Sequence, residues 1–238
     1  MNLNARELGY KELNEKIRNS KEDISISSCF GERFIGAGAE SNTITVNGTP
    51  GNALGAYLDG ASIIVNGNVQ DAVGDTMNDG KIIVNGNAGD ALGYAMRGGK
   101  IFVKGNAGYR AGIHMKQYQD KRPVIIVGGN VGSFLGEYLA GGLIIVLGLG
   151  TEAFPAGNFV GTGMHGGEIY LRTDSEIANL SNEVAANKAT ADEMNGIMEL
   201  LNEFSDVFGI STDEILGKAF YRLTPNTQNP YRQLYTEN

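Results

Sequence analysis

Cysteine, histidine and basic charge are all scarce in this 238-residue chain. The single cysteine, Cys29, excludes a disulfide framework, a CxxC motif and a cysteine-ligated cluster. The two histidines, His114 and His165, stand far apart with no third His or Cys joining them, which excludes a zinc site of ordinary spacing. Lys and Arg number 19 against 27 Asp and Glu, and the net charge of −8 excludes the basic stripe that nucleic acid requires. No apolar run approaches the ~20 residues of a membrane span. The opening MNLNARELGY is polar and holds no signal-peptide core. These absences lead to the expectation of a soluble, cytoplasmic protein that binds neither nucleic acid nor membrane.

Glycine, by contrast, is abundant at 35 residues, and 42% of the chain is hydrophobic. The two are interleaved in register. The isoleucines that open successive apolar triplets, Ile24, Ile44, Ile63, Ile82, Ile101, Ile125, Ile144 and Ile169, step by 20, 19, 19, 19, 24, 19 and 25. A second ruler agrees: Gly36, Gly55, Gly74, Gly93, Gly112, Gly136 and Gly161 step by 19, 19, 19, 19, 24 and 25. The shared template is G-x-x-(M/L)-x-x-G-x-I-x-V-x-G. The two long steps are insertions of five and six residues, near 116–123 and 149–160, expected to bulge as loops at one corner.

A nineteen-residue unit is too short for a helix pair and lacks the leucine-rich signature. Triplets such as Ile63-Ile64-Val65 are β-branched and bounded by Asn-Gly turns, so each unit reads as strand, glycine corner and next strand. That is one coil of a parallel β-helix, and about seven such coils at ~4.8 Å stack to roughly 34 Å. Asn47, Asn66 and Asn85 share one register and are expected to form an amide ladder. The hexapeptide left-handed solenoid is the competing architecture, but its six-residue beat is missing. The reading divides the chain into an N-terminal helical cap at 1–20, a β-helix at 21–173 and a C-terminal tail, mostly helical, at 174–238.

Alternation assigns the first and third members of each triplet to the core. The middle members Thr45, Ile64, Ile83, Phe102, Ile126, Ile145 and Tyr170 then form an outward, mostly apolar stripe. Each exposed Ile or Phe forgoes about 1.5–3 kcal/mol of burial, so something covers the stripe. The tail is one candidate: Met194, Ile197, Met198, Leu201 and Phe204 fall at helical spacing, and STDEIL at 211–216 reads as a second capped helix. A partner domain, or self-association through the stripe, is the other. Asn4 with Glu7 resembles a capping box opening a helix through Leu8, Leu13 and Ile17.

Signals for chemistry are few. Cys29 lies in SSCFGERF, outside any nucleophile-elbow sequence, and reads as a buried structural thiol. The GxGxxG-like string at Gly161–Gly166 belongs to the coil template and precedes no βαβ unit. Asp71 and Asp90 occupy one slot of successive coils, which puts their carboxylates at about the ~5 Å spacing of a retaining glycosidase pair. That spacing would also suit calcium; a solvated turn is the plainer reading. The template breaks at Arg110, where Ala53, Ala72 and Ala91 stood in earlier coils. Arg110, His114 and Lys116, with Phe154 and Phe159 of the second insertion, mark the expected contact surface, and no catalytic, cofactor or metal residue is assigned.

The strings NAGYRAGIHMK (106–116), FLGEYLAGGLIIVLGLG (134–150), VGTGMHGGEIYLR (160–172) and LTPNTQNPYRQLY (223–235) resemble the GXGXG domain. This is the right-handed β-helix at the C-terminal end of the glutamate synthase large subunit, and the β-helix subunit of formylmethanofuran dehydrogenase shares the fold. The resemblance implies a non-catalytic scaffold. In the glutamate synthase case its partners are a glutaminase and a synthase subunit, and the latter carries flavin mononucleotide and an iron–sulfur cluster. The alternatives are the β-helix subunit of a formylmethanofuran dehydrogenase and, from a different class, a polysaccharide-acting β-helix enzyme.

Overall fold

The structure, a computed structural model, describes residues 1–226; the closing stretch 223–235 therefore lies outside it from 227 onward. The strands are β1 (Asn2–Asn4), β2 (Ile24–Phe30), β3 (Thr43–Thr49), β4 (Asp59–Asn66), β5 (Asp79–Val84) and β6 (Lys100–Val103), then β7 (Val124–Val127), β8 (Ala140–Val146) and β9 (Gly166–Arg172). These nine lie side by side in chain order, each parallel to the next. Two further strands, β10 (Val184–Lys188) and β11 (Phe220–Pro225), close the order as β9-β11-β10 and make the sheet 11-stranded. Helices α1 (Ala5–Asn19), α2 (Ala191–Phe208) and α3 (Thr212–Leu216) complete the described chain.

The isoleucine ruler is the pairing register itself. Ile44 pairs with Ile63, Ile63 with Ile82, and so on through Ile101, Ile125 and Ile144 to Ile169. A second wall follows the same stacking through parallel bridges Ala88–Ala107, Ala107–Val131 and Val131–Ala156. The result is a mostly parallel, β-helix-like repeat. Its interior is filled by the first and third triplet members, with Ile44, Val46, Ile63, Val65, Ile82 and Val84 wholly buried.

The glycine ruler has two physical causes. Gly36 through Gly161 all hold φ between +64° and +73°, a conformation L residues adopt at a cost of about 1–2 kcal/mol. A Cβ at any of them would also fall 2.3–2.8 Å from a branched side chain of a later repeat, for example 2.7 Å from Ile82 Cδ1 at Gly55. The δ-methyl of one repeat occupies the space where the glycine has no side chain. The residues two before and two after each glycine are left-handed as well, as at Ala53 (φ 62°) and Tyr57 (φ 57°). Their amides run alternately up and down the stack: Ala53 donates to the Asp71 carbonyl, Gly55 to Ile35 and Tyr57 to Asp75, at 2.8–2.9 Å. Each corner is thus stitched to both neighbours, which satisfies backbone groups no strand could reach.

Side-chain ladders reinforce the stack. Asn66 donates to Asn47 Oδ1 at 2.9 Å and Asn85 to Asn66 at 3.1 Å, the ladder expected from register. A second row has side-chain oxygens capping backbone amides: Asn68 accepts from Asn87 N, Asn87 from Asn106 N, and Asn106 from Asn130 N, at 2.7–2.8 Å. In the next repeat the slot falls to Pro155, which has no N–H, and Asn130 Oδ1 is left buried without a partner.

The tail covers half of the stripe. Ile197, Leu201, Phe204 and Phe208 of α2 form one buried cluster with Phe102, Ile126, Ile145 and Tyr170. Phe204 meets Phe102 edge-on at 5.8 Å. Thr190 and Glu193 cap the helix reciprocally, and Gly209 ends it at φ 64°. Glu203 bridges Lys81 and Lys100, so the helix is fixed laterally on the sheet. Arg172, 6% exposed, donates to the carbonyls of Leu147, Glu214 and Ile215, joining the sheet to α3. Self-association through the whole stripe is ruled out by this cover; Thr45, Ile64 and Ile83 alone stay half-exposed.

Three expectations need correction. Among its described residues the tail is less helical than expected: β10 and β11 follow β9, with β11 antiparallel to both β9 and β10, and this reversal ends the repeat. The insertions do not share a corner. One follows the glycine corner before β7, the other follows β8 before the next corner, because each lengthens a different arc of its repeat. At the start, Asn4 accepts from Arg6 N while Glu7 receives the Asn4 side-chain amide, so the cap is not a reciprocal box. Gly9 then kinks α1.

Gly74→Ala adds a Cβ 2.4 Å from Ile101 Cδ1 and strains the backbone, and is expected to cost about 2–4 kcal/mol in chemical denaturation. Ala72→Gly, two residues away at φ 58°, should be neutral or stabilising by less than about 1 kcal/mol. Equal losses from the two would refute the packing role of the glycine. In the amide-capping row, Asn106→Ala removes the acceptor of the Asn130 N–H and should cost about 0.5–1.5 kcal/mol. Asn130→Ala strands no backbone donor, and the unfolding midpoint should move less.

Candidate functional site

The left-handed residues flanking each glycine carry their side chains away from the core, so the corners build a face of stacked columns. One column runs Phe34, Ala53, Ala72, Ala91, Arg110, Phe134 and Phe159, all at φ between 55° and 64°. The other includes Tyr57, Thr76, Ala95, His114 and Tyr138, at φ between 50° and 57°. In the repeats before residue 100 the face is made largely of alanines. From Arg110 onward it is aromatic and cationic.

Packing within this second half is continuous. The Arg110 guanidinium lies 4.7 Å from the Phe134 ring centre and pairs with Glu137 at 3.0 Å. Phe134 stacks on Phe159 at 5.0 Å, and His114 stacks on Tyr138 at 5.0 Å with Tyr94 against its other side at 5.8 Å. Yet the rings reach solvent: Phe159 is 56% exposed and Tyr109 53%. The break at Arg110 therefore both turned outward and met a carboxylate. Arg110, His114 and Phe159 come together on this face, with exposed Lys116 two residues past His114. Phe154 does not join them; it is half-buried against the main core, because the insertion folds back over the repeat.

Sequence reasoning missed Phe134, Glu137 and Tyr138, which complete the aromatic columns. The signal was present: Phe134 and Phe159 occupy the slot of Ala53, but a hydrophobic side chain in a repeat template reads as core unless the left-handed corner is known. It also missed Phe30, 89% exposed at the end of β2.

The remaining chemical candidates are structural. Asp71 Oδ1 accepts from Asp90 N at 2.9 Å, and Asp90 Oδ1 from Tyr109 N at 2.8 Å, so each carboxylate caps the next repeat. One oxygen of each carboxylate is thereby committed to the stack. Among the described residues no three His, Cys, Asp or Glu converge on a metal position, and no helix is long and apolar enough to cross a membrane. Cys29 is 3% exposed in the main core; burial, with the Glu32 carboxylate beside it, pushes its thiol up to about 12.

A parallel repeat whose corners are spaced glycines defines a β-helix-like class of fold. Within that class the chain belongs to the GXGXG motif family, which it matches over residues 6–227. An uncharacterized protein of Methanocaldococcus jannaschii is 38% identical over 249 residues, covering 98% of this chain and 95% of that one. Among solved structures, a chain of the formyltransferase/hydrolase complex (FhcABCD) of Methylorubrum extorquens, solved with methylofuran, has a TM-score of 0.65. That likeness spans 86% of this chain and 73% of the other at 22% identity, and it is one of fold.

The raised Cys29 value has a stability consequence. The protonated thiol is favoured in the folded chain, so its contribution is complete below the unfolded value near 9 and is lost as pH rises toward 12. Native protein at pH 8 should resist a thiol reagent that reacts at once in denaturant; rapid labelling of the native chain would contradict a buried, neutral Cys29.

Proposed function

We propose that this chain is a non-catalytic structural subunit of a cytoplasmic, multi-subunit enzyme, docked through the corner face that carries Arg110, His114, Lys116 and Phe159. The observation that carries the reading is a division of labour among side chains. Asp71, Asp90 and Cys29, which could have done chemistry, are taken up in holding the repeats, while stacked aromatics remain in solvent. Exposed aromatic and arginine side chains of this kind are what interfaces are enriched in. The winding is right-handed in this reading, with about seven coils, as in the family the chain resembles.

Two assemblies suit such a scaffold. The fold likeness to a chain of the formyltransferase/hydrolase complex supports a formylmethanofuran-type assembly, in which this chain takes the place of the β-helix subunit. The resemblance of residues 223–235 to the end of the glutamate synthase large subunit supports the second, with glutaminase and synthase subunits as partners. Flavin mononucleotide and the iron–sulfur cluster belong to those partners, since one buried cysteine cannot ligate a cluster.

Affinity purification of the tagged chain from its native cells, with mass spectrometry of what accompanies it, tests the proposal. Catalytic subunits are expected in stoichiometric amounts, with formyl transfer or glutamine-dependent glutamate formation in the eluate deciding between the assemblies. A chain that purifies without any catalytic subunit overturns the scaffold reading.

A further inference from the structure

Four Asn-Gly sequences occur in the chain, and three of them stand in one column of the stack: Asn47-Gly48, Asn66-Gly67 and Asn85-Gly86. The fourth, Asn195-Gly196, lies inside α2. Asparagine is chemically labile, and most so before glycine, which leaves the following backbone nitrogen unhindered. Residues 63–68 and 82–87 both read IIVNGN, so Asn66 and Asn85 have the same neighbours along the chain, and Asn47 also stands between Val and Gly. Whatever separates their reactivity is imposed by the fold.

Three features separate them, and all rank them alike. Asn47 lies inside β3, Asn66 is the last residue of β4, and Asn85 stands one past the end of β5. The amide ladder holds Asn47 and Asn66 on both sides: Asn47 donates to the Ile26 carbonyl and accepts from Asn66, which in turn accepts from Asn85. Asn85 ends the ladder. Its Nδ2 donates to Asn66 and to the Val65 carbonyl, but its Oδ1 receives no hydrogen bond from the described residues, and Lys104 fills the slot one repeat on. The attacking nitrogens differ as well. Gly48 is paired with Cys29 within the sheet, whereas the Gly86 N–H has no acceptor among the described residues. All three asparagines are exposed, so water reaches each.

We infer that Asn85 is a self-modifying position, converted to aspartate and isoaspartate in the folded chain ahead of Asn66 and Asn47. The Gly86 nitrogen loses its proton to solvent and bonds to Asn85 Cγ. The Cγ–Nδ2 bond then breaks, and the amide leaves as ammonia after taking up a proton. Water opens the resulting cyclic imide at one carbonyl or the other, and no oxidant or reductant takes part. The extended backbone must swing out of line for this closure, a local opening that costs least where strand pairing has ended. The two products differ in consequence. Aspartate keeps the backbone and places a carboxylate beside the exposed Lys104. Isoaspartate adds a carbon to the main chain two residues before Asn87, whose N–H is capped by Asn68 at 2.8 Å, and so pulls on the capping row. The age of the chain is thus recorded at Asn85 as one extra negative charge.

Peptide mapping by mass spectrometry, after the full chain has stood at mildly alkaline pH, provides the test. In the native chain Asn85 is expected to convert roughly tenfold or more faster than Asn47, with Asn66 between them. In denaturant the three rates should close to within about twofold, because only the sequence neighbours then act. Asn85→Gln, whose longer side chain must close a six-membered ring, should remove most of the acidic species separated by isoelectric focusing and leave the unfolding midpoint in place. A native chain in which Asn47 or Asn66 converts as fast as Asn85 overturns the inference, and so does one in which Asn85 stays intact while the denatured chain converts. An order that persists in denaturant, or an acidic species that survives Asn85→Gln, overturns it equally.

Discussion

The structure depends on one contact repeated along its length: the δ-methyl of an isoleucine in the space left by a glycine one repeat earlier. That contact sets the distance between the triplet wall and the corner wall, and so the thickness of the core. It also makes the corner's conformation affordable only when the chain is stacked, because the left-handed residues gain their hydrogen bonds from the repeats above and below. A single repeat alone has neither the bonds nor the methyl. Stability here is a property of neighbours, as in other one-dimensional repeat proteins.

The same constraint explains where variation is allowed. The central glycine of each corner admits no side chain, but the two flanking positions point away from the core and accept alanine, arginine, phenylalanine, tyrosine or histidine at nearly the same φ. Function can therefore be written on this face without disturbing what holds the repeat together, at a backbone cost of about 1–2 kcal/mol per non-glycine residue. A surface of strained but interchangeable positions on a rigid scaffold is a natural place for recognition.

Much of the architecture was legible in the sequence because two spacings recorded it independently. The isoleucine period is the strand register and the glycine period is the corner, and neither can slip without the other. The helical spacing of Ile197, Leu201 and Phe204 likewise gave the cover of the stripe. What was not legible has a common cause. The side-chain capping by Asp71 and Asp90, the pairing of β10 with β11 and the outward turn of Phe134 all depend on which way a group points, and periodicity carries position without direction. Asp71 and Asp90 suited either a reactive pair or a solvated turn for that reason: they share one slot of successive repeats, and each turns an oxygen to the backbone amide of the next.

The cover supplied by α2 has a consequence in time as well as in space. Phe102 and its partner Phe204 are joined across a long stretch of sequence, and Lys81 is separated from Glu203 by 122 residues. During synthesis the stripe leaves the ribosome well before the helix that will bury it. At typical elongation of about 5–20 residues per second, that gap lasts roughly 5–20 s, during which Phe102, Ile126 and Ile145 face water on a nascent, half-built stack. A growing chain of this design carries a sticky flank until α2 is made, and that helix is the event that covers it.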